Sequence, residues 1–191
     1  MIKKFVVLTA ALTILFTGSA CLALGFQAQY KTLAEGKTNT GNMWMSGAKV
    51  RMETSMGIVV SRPDKKLTWI LMPDKKAYLE QTYSSSNVQG TTKKMAGEVS
   101  RTKIGKEKVS GLNCTKYRIT VKHGEETQSF LQWIHPSMPA PVKTQAEDGS
   151  WSMEFSEILI CSPPASMFEI PAGYTKMDSM PTPAGASGER E

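Results

Sequence analysis

The stretch from Met43 to Tyr83 limits this chain to a β fold. Short runs of alternating apolar and polar residues follow one another, each closed by turn-forming residues. Trp44-Met45 leads to Ser46-Gly47-Ala48, Lys49 to Glu53 leads to Met56-Gly57, and Ile58 to Ser61 leads to Pro63-Asp64. Leu67 to Met72 leads to Pro73-Asp74, and Ala77 to Gln81 closes the series. Period-two alternation puts successive side chains on opposite faces of a strand, and turn signals roughly every ten residues make a meandering antiparallel sheet. Pro-Asp-Lys-Lys at 63–66 recurs at 73–76, one hairpin turn echoed within one sheet. In the strand between these turns, Leu67, Trp69 and Leu71 share one face while Ile70 and Met72 make the other apolar too. A strand apolar on both sides is covered on both sides, so a lid, a helix or a ligand is expected over it.

The flanking sequence continues the pattern. Phe26, Ala28, Tyr30 and Thr32 alternate with Gln27, Gln29 and Lys31 in a half-buried first strand. Val99 to Val109 is a polar strand whose lysines and arginine suit a sheet edge. Thr115, Tyr117, Ile119 and Val121 alternate with Lys116, Arg118, Thr120 and Lys122, and Gln128 to Ile134 follows the turn at His123-Gly124-Glu125. Asp148-Gly149 marks a two-residue hairpin that sets Thr144 against Met153 and Ala146 against Trp151. Ser84 to Gly97 reads as a long polar loop, with a short helix from about Thr91 to Ala96, and loops of this length often serve as lids. Pro163 to Phe168 can hold one helical turn. The count is ten or eleven strands with almost no helix.

The ends are different in kind. Lys3 and Lys4 precede an apolar run, Phe5 to Phe16, and small residues follow, so 1–23 is read as a secretory signal, too short for a membrane span. Cleavage after Ala23 or Gly25 fits, and after Ala20 also. Cys21 follows Gly18-Ser19-Ala20 and is a candidate for lipidation; the plainer reading is that it leaves with the signal. After Tyr174 the sequence turns to Pro, Gly, Ser and charge, too apolar-poor to offset ordering entropy. The domain is taken as 24–177 and a disordered tail as 178–191.

Loss of Lys3 and Lys4 with the leader lowers the formal net charge from +6 to +4. The basic residues are scattered at hairpin ends, which argues against nucleic acid and is compatible with weak attraction to anionic headgroups. In an oxidising compartment Cys114 and Cys161 are candidates for a disulfide, although alternation places Cys114 with Lys116 and Arg118 and Cys161 with Met153 and Phe155, on opposite faces unless a bulge intervenes. The two histidines, His123 and His135, have no metal-ligand spacing, and no cofactor motif occurs. Ser46-x-x-Lys49 and Ser100-x-x-Lys103 lack the partner motifs of a serine–lysine enzyme. A Cys114–His123 thiol dyad is outweighed by a buried or bridged cysteine. Met43, Met45, Met52 and Met56 suit ordinary core, the wall of an adaptable apolar cavity, or Cu(I). No enzyme is expected, and no metal.

Trp44-Met45-Ser46-Gly47 with Lys49, Arg51, Met52 and Glu53, the two Pro-Asp-Lys-Lys turns, Cys114-Thr115-Lys116-Tyr117-Arg118, Pro141-Val142-Lys143 and Phe168-Glu169-Ile170-Pro171-Ala172-Gly173-Tyr174 resemble an exported bacterial domain of unknown function. That domain is similar to the LolA/LppX/RseB group of lipoprotein carriers and lipid-sensing modules. The resemblance spans about 26–177. It implies a mainly β (α+β) fold: one curved antiparallel sheet, an unclosed half-barrel with short helices or loops over the concave face, and an apolar cavity for acyl chains. Only Ser84–Gly97 and the C-terminal turn could serve as lids. Val50, Met52, Trp69, Leu71, Tyr117, Ile119, Trp151, Met153 and Phe155 are the candidate cavity wall, with plain core as the alternative for each. The expected function is non-catalytic, in the periplasm or anchored to the envelope through Cys21. It binds a lipid or a lipidated protein, or else acts as a structural or sensor module with a self-filled core.

Overall fold

A computed structural model describes residues 25–55, 57–88 and 90–179. The signal segment, Cys21, Met56 and all but the first two residues of the expected tail lie outside them.

Twelve strands join one sheet: β1 (Gly25–Ala34), β2 (Lys37–Ser46), β3 (Lys49–Thr54), β4 (Gly57–Arg62), β5 (Leu67–Met72), β6 (Ala77–Thr82), β7 (Glu98–Val109), β8 (Leu112–His123), β9 (Glu126–Ile134), β10 (Lys143–Ala146), β11 (Trp151–Cys161) and β12 (Thr175–Met177). Their order is β12-β6-β5-β4-β3-β2-β1-β11-β10-β9-β8-β7, so the sheet ends at β12 and β7 and does not close. All pairs are antiparallel except β12 on β6, which makes the sheet mixed. Thr175–Met177, the last three residues of the expected domain, supply the twelfth strand. The polar strand at 99–109 is the edge strand β7, as its lysines imply. Regular helix is absent from the described residues beyond short 3-10 turns, and 91–96 forms bends in place of the expected short helix.

The repeated Pro-Asp-Lys-Lys builds the same turn twice. Pro63–Lys65 and Pro73–Lys75 are single 3-10 turns, each closed by a lysine in the left-handed region, Lys66 at φ 57° and Lys76 at φ 44°. Proline fixes the first φ and has no N–H to leave unpaired, and the lysine N–H returns to the proline carbonyl at 3.1 Å in both.

β1 joins two meanders, pairing with β2 on one side and β11 on the other. Register across these pairs defines an inner face. Phe26 lies opposite Met45, Ala28 opposite Met43 and Tyr30 opposite Phe155. Val50 and Met52 continue that face on β3, and Thr144, Gln132 and Tyr117 continue it from Met153 across β10, β9 and β8. Phe26 and Phe155 meet edge-on with centroids 5.3 Å apart at the middle of the main core.

The outer face of β3–β5 carries a second core. Val60 lies opposite Trp69 and Ile58 opposite Leu71. The C-terminal segment covers them with Met167, Phe168, Ile170 and Tyr174, and Val60, Leu71 and Phe168 are fully buried. The cover expected over two-sided Leu67–Met72 is therefore, on this face, the chain's own C-terminal turn at Ala165–Phe168.

A β-bulge alters the parity of β11. Its register against β1 shifts between Gln27 and Gln29, and Glu157 stands at φ 48°. Beyond it Cys161 pairs with Gly25, on the face opposite Phe155. Cys114 and Cys161 are both free thiols. They stand on β8 and β11, which are not neighbours in the sheet order.

Candidate functional site

The inner face of β7–β11 is closed by the irregular connection 83–97 between β6 and β7. Two buried polar side chains on the sheet are aimed at it. Gln132 Nε2 donates to the Thr92 carbonyl at 3.1 Å, and Thr144 Oγ1 donates to the Gly90 carbonyl at 3.4 Å. Both residues are completely buried, so these carbonyls stand in for water that the core excludes.

Arg101 ties the connection to its own following strand. Its guanidinium lies over the Tyr117 ring at 5.4 Å. It donates to both Glu98 carboxylate oxygens at 2.8 Å, to Gln132 Oε1 at 3.3 and 3.2 Å, and to the Lys93 carbonyl. The hydrogen bond from Arg101 holds the Glu98 carboxyl below its ordinary range against the opposing effect of burial. Glu98 also accepts from the Met95 N–H at 3.0 Å.

Gly90 allows the close approach. Its φ of +83° suits glycine, and a Cβ there would sit 2.7 Å from Trp151 Cη2 and 3.2 Å from Met153 Sδ. Val88, Gly90 and Thr91 are buried, and Met95 packs towards Ile119, Val121 and Phe130. Beneath the connection lies a cavity of about 200 Å³ lined by Gly90, Met95, Ala96, His123 and Phe130 among others. A second, larger pocket of about 390 Å³, lined by Tyr30, Thr32, Met52 and Thr54 with neighbours, indents the sheet elsewhere. On the inner face of β4, Ser61 Oγ is buried with no hydrogen-bond partner.

The structure divides the nine candidate wall residues. Val50, Met52, Trp151, Met153 and Phe155 belong to or pack on the main core, and Ile119 and Tyr117 on the cluster under Met95, all on the inner face. Trp69 and Leu71 lie on the outer face beneath Phe168. They share no cavity with the other seven, because β4 intervenes and the register Arg51–Val60–Trp69 carries them with the opposite parity. Met43 and Met45 are buried core and Met52 is half-buried. Sequence reading missed Gly90, Gln132, Thr144 and Arg101; a glycine inside a polar loop and a glutamine alternating with apolar neighbours were the signals available.

Two arginines hold the C-terminal cover. Arg62, 4% exposed in its side chain, donates to the Phe168 carbonyl at 2.9 Å, to Glu169 at 2.5 Å and to both Asp64 oxygens. The bond from Arg62 draws the Asp64 carboxyl down to about 2. Arg51 donates to the Met167 carbonyl at 3.1 Å and to Glu53. Cys114 and His123 stand near opposite ends of twelve-residue β8. Among the described residues no cluster of His, Cys, Asp or Glu could hold a metal ion, and no helix is long and apolar enough to cross a membrane.

Residues 25–135, more than half of the 191, match the family described as Domain of unknown function (DUF4412). The chain belongs to that family. The matched region ends one residue beyond β9, so it contains the 83–97 connection, Arg101 and Gln132. No curated protein matches the chain in sequence. Among solved structures it is similar to MucB, at 15% identity and a TM-score of 0.50, over 78% of this chain and 57% of that one. The Pseudomonas aeruginosa MucA/MucB complex aligns at 15% identity and TM-score 0.49, over 79% and 58%. The Mycobacterium tuberculosis lipoprotein LppX aligns at 12% and 0.40, over 76% and 89%. At such identities the likeness is one of fold alone, and the DUF4412 chain spans little more than half the length of MucB.

Proposed function

We propose that this DUF4412 protein is a non-catalytic binding module of the bacterial cell envelope that takes an apolar chain, a lipid or the acyl chain of a lipoprotein, against its inner face. The observation that carries this reading is the nature of the closure. The inner face of β7–β11 is covered by an irregular connection, 83–97, held by hydrogen bonds from Gln132 and Thr144 and packed through Val88 and Met95, with a cavity of about 200 Å³ already beneath it. Displacement of Val88 and Met95 by a ligand exchanges one apolar contact for another. The ligand's own burial then drives binding at about 25 cal/mol per Å², against Ile119, Trp151, Met153 and Phe155. The leader at 1–23 would deliver the protein to the periplasm, and lipidation of Cys21 would anchor it.

A second reading, a structural or sensor module with a self-filled core, is favoured by two observations. The cavity beneath 83–97 falls below the roughly 300–1,000 Å³ of small-molecule sites, and Met138 and Ala140 are completely buried within the main core.

The two separate on one preparation. Protein purified from its native host is extracted and the extract analysed by mass spectrometry. Stoichiometric lipid is the expected result. Absence of lipid, with no shift in melting on adding phospholipid, would leave the self-filled module.

A further inference from the structure

The edge strand β7 carries features that closure of the inner face does not use. Val99 is 63% exposed and Ile104 40%, the two most exposed large apolar residues outside the end of β11. Each sits where the β7–β8 register skips a residue, between Glu98 and Ser100 and between Lys103 and Gly105. Both are thus the extra residue of a bulge, pushed out of the ladder.

The second bulge has a further effect. It brings Lys103, opposite Tyr117, onto the same face as Lys106, opposite Thr115, and Lys108, opposite Asn113. Without it Lys103 would point the other way. Among the described residues these three lysines form no ion pair, whereas both acids of the strand are engaged, Glu98 by Arg101 and Glu107 by Lys116 and Trp133. Lys93 and Lys94 border a shallow groove of about 270 Å³ on the same side, with Tyr117 and Ile134 in its lining.

Edge lysines by themselves keep strands from adding to a sheet. Exposed valine and isoleucine defeat that purpose, so the combination points to an occupant. Two bulges in one strand interrupt the ladder that an added strand would need. An acidic protein would need pockets shaped for Val99 and Ile104, and a bilayer needs none. We propose that the β7 edge docks on an anionic lipid bilayer, with Val99 and Ile104 entering at headgroup level and Lys103, Lys106 and Lys108 meeting the lipid phosphates. The three lysines stand at the rim of the inner face, opposite Tyr117, Thr115 and Asn113, and adsorption to intact vesicles, as against co-purified lipid, reads this docking alone.

The test uses the full chain carrying Cys21→Ala, so that no lipid anchor contributes, purified after export. It is sedimented with vesicles of phosphatidylglycerol and phosphatidylcholine in equal parts, or of phosphatidylcholine alone, at low and high salt. Binding to the anionic vesicles only, released by salt, is expected. K103Q/K106Q/K108Q should weaken it about five-fold per lysine, and V99S/I104S should weaken it with melting unchanged. Equal partition to both vesicles, or a triple variant that binds like its parent, overturns the proposal. So does retention on polyglutamate without vesicle binding, which would assign the edge to an acidic protein. The salt and lipid dependence of the parent decides the matter even where a variant fails to fold.

Discussion

Arg62 is the residue on which the outer cover depends most. Its guanidinium is buried, lies 5.8 Å from the Trp69 ring centroid and reaches Phe168, Glu169 and Asp64 together. Arg62→Met keeps the stem and removes the donors, leaving the Phe168 carbonyl unpaired. Urea unfolding should register a loss of about 2 kcal/mol. Asp64 answers to pH. Its folded pKa, about 2, lies below the ordinary 3.8, so the stabilisation it provides is complete above pH 3.8 and is lost as pH falls towards 2. The carboxylate is nearly half exposed, which limits the effect to under about 1 kcal/mol. Asp64→Asn should melt lower than the parent at pH 6, and the two should converge near pH 2. On the inner side, Gly90→Ala meets both a positive φ and the Trp151 ring. It should cost about 1–2 kcal/mol and open 83–97 to limited proteolysis.

At the scale of elements, much of the sheet was legible. Alternation located the strands, lysines marked β7 as an edge, and the Asp148-Gly149 turn gave the observed register of Thr144 with Met153. Two-sided apolarity in Leu67–Met72 announced a cover without saying whose. Two things were hidden for physical reasons. Parity within a strand does not say which face meets which across a hairpin, so Trp69 and Leu71 were grouped with Val50 although β4 carries them to the other side. A bulge has no reliable composition, so Glu157, left-handed and non-glycine, reversed the parity of Leu159 to Cys161 unseen. The connection 83–97 and the C-terminal turn were both readable as covers; that they close opposite faces depends on contacts distant in sequence. Truncation before Ser162 tests the outer one. It should uncover Val60, Trp69 and Leu71, shift tryptophan emission to the red and cause aggregation detectable by light scattering.

The whole molecule is a single open sheet with a cover on each side, and the two are fastened differently. The outer cover is latched by two arginines over an apolar bed and continued by β12, whose Thr175 N–H bonds to the Lys76 carbonyl at 2.9 Å. The inner cover is irregular, rests on side-chain bonds from Gln132 and Thr144, and spans a small cavity. If the protein binds an apolar chain as proposed, that difference makes the inner side the expected point of entry. Hydrogen–deuterium exchange with and without a phospholipid tests this most directly. Exchange should rise in 83–97, including the Thr91 amide bonded to Val88, while 163–177 stays unchanged. No change in 83–97 at saturating lipid, or loss of protection in the C-terminal cover instead, would contradict it.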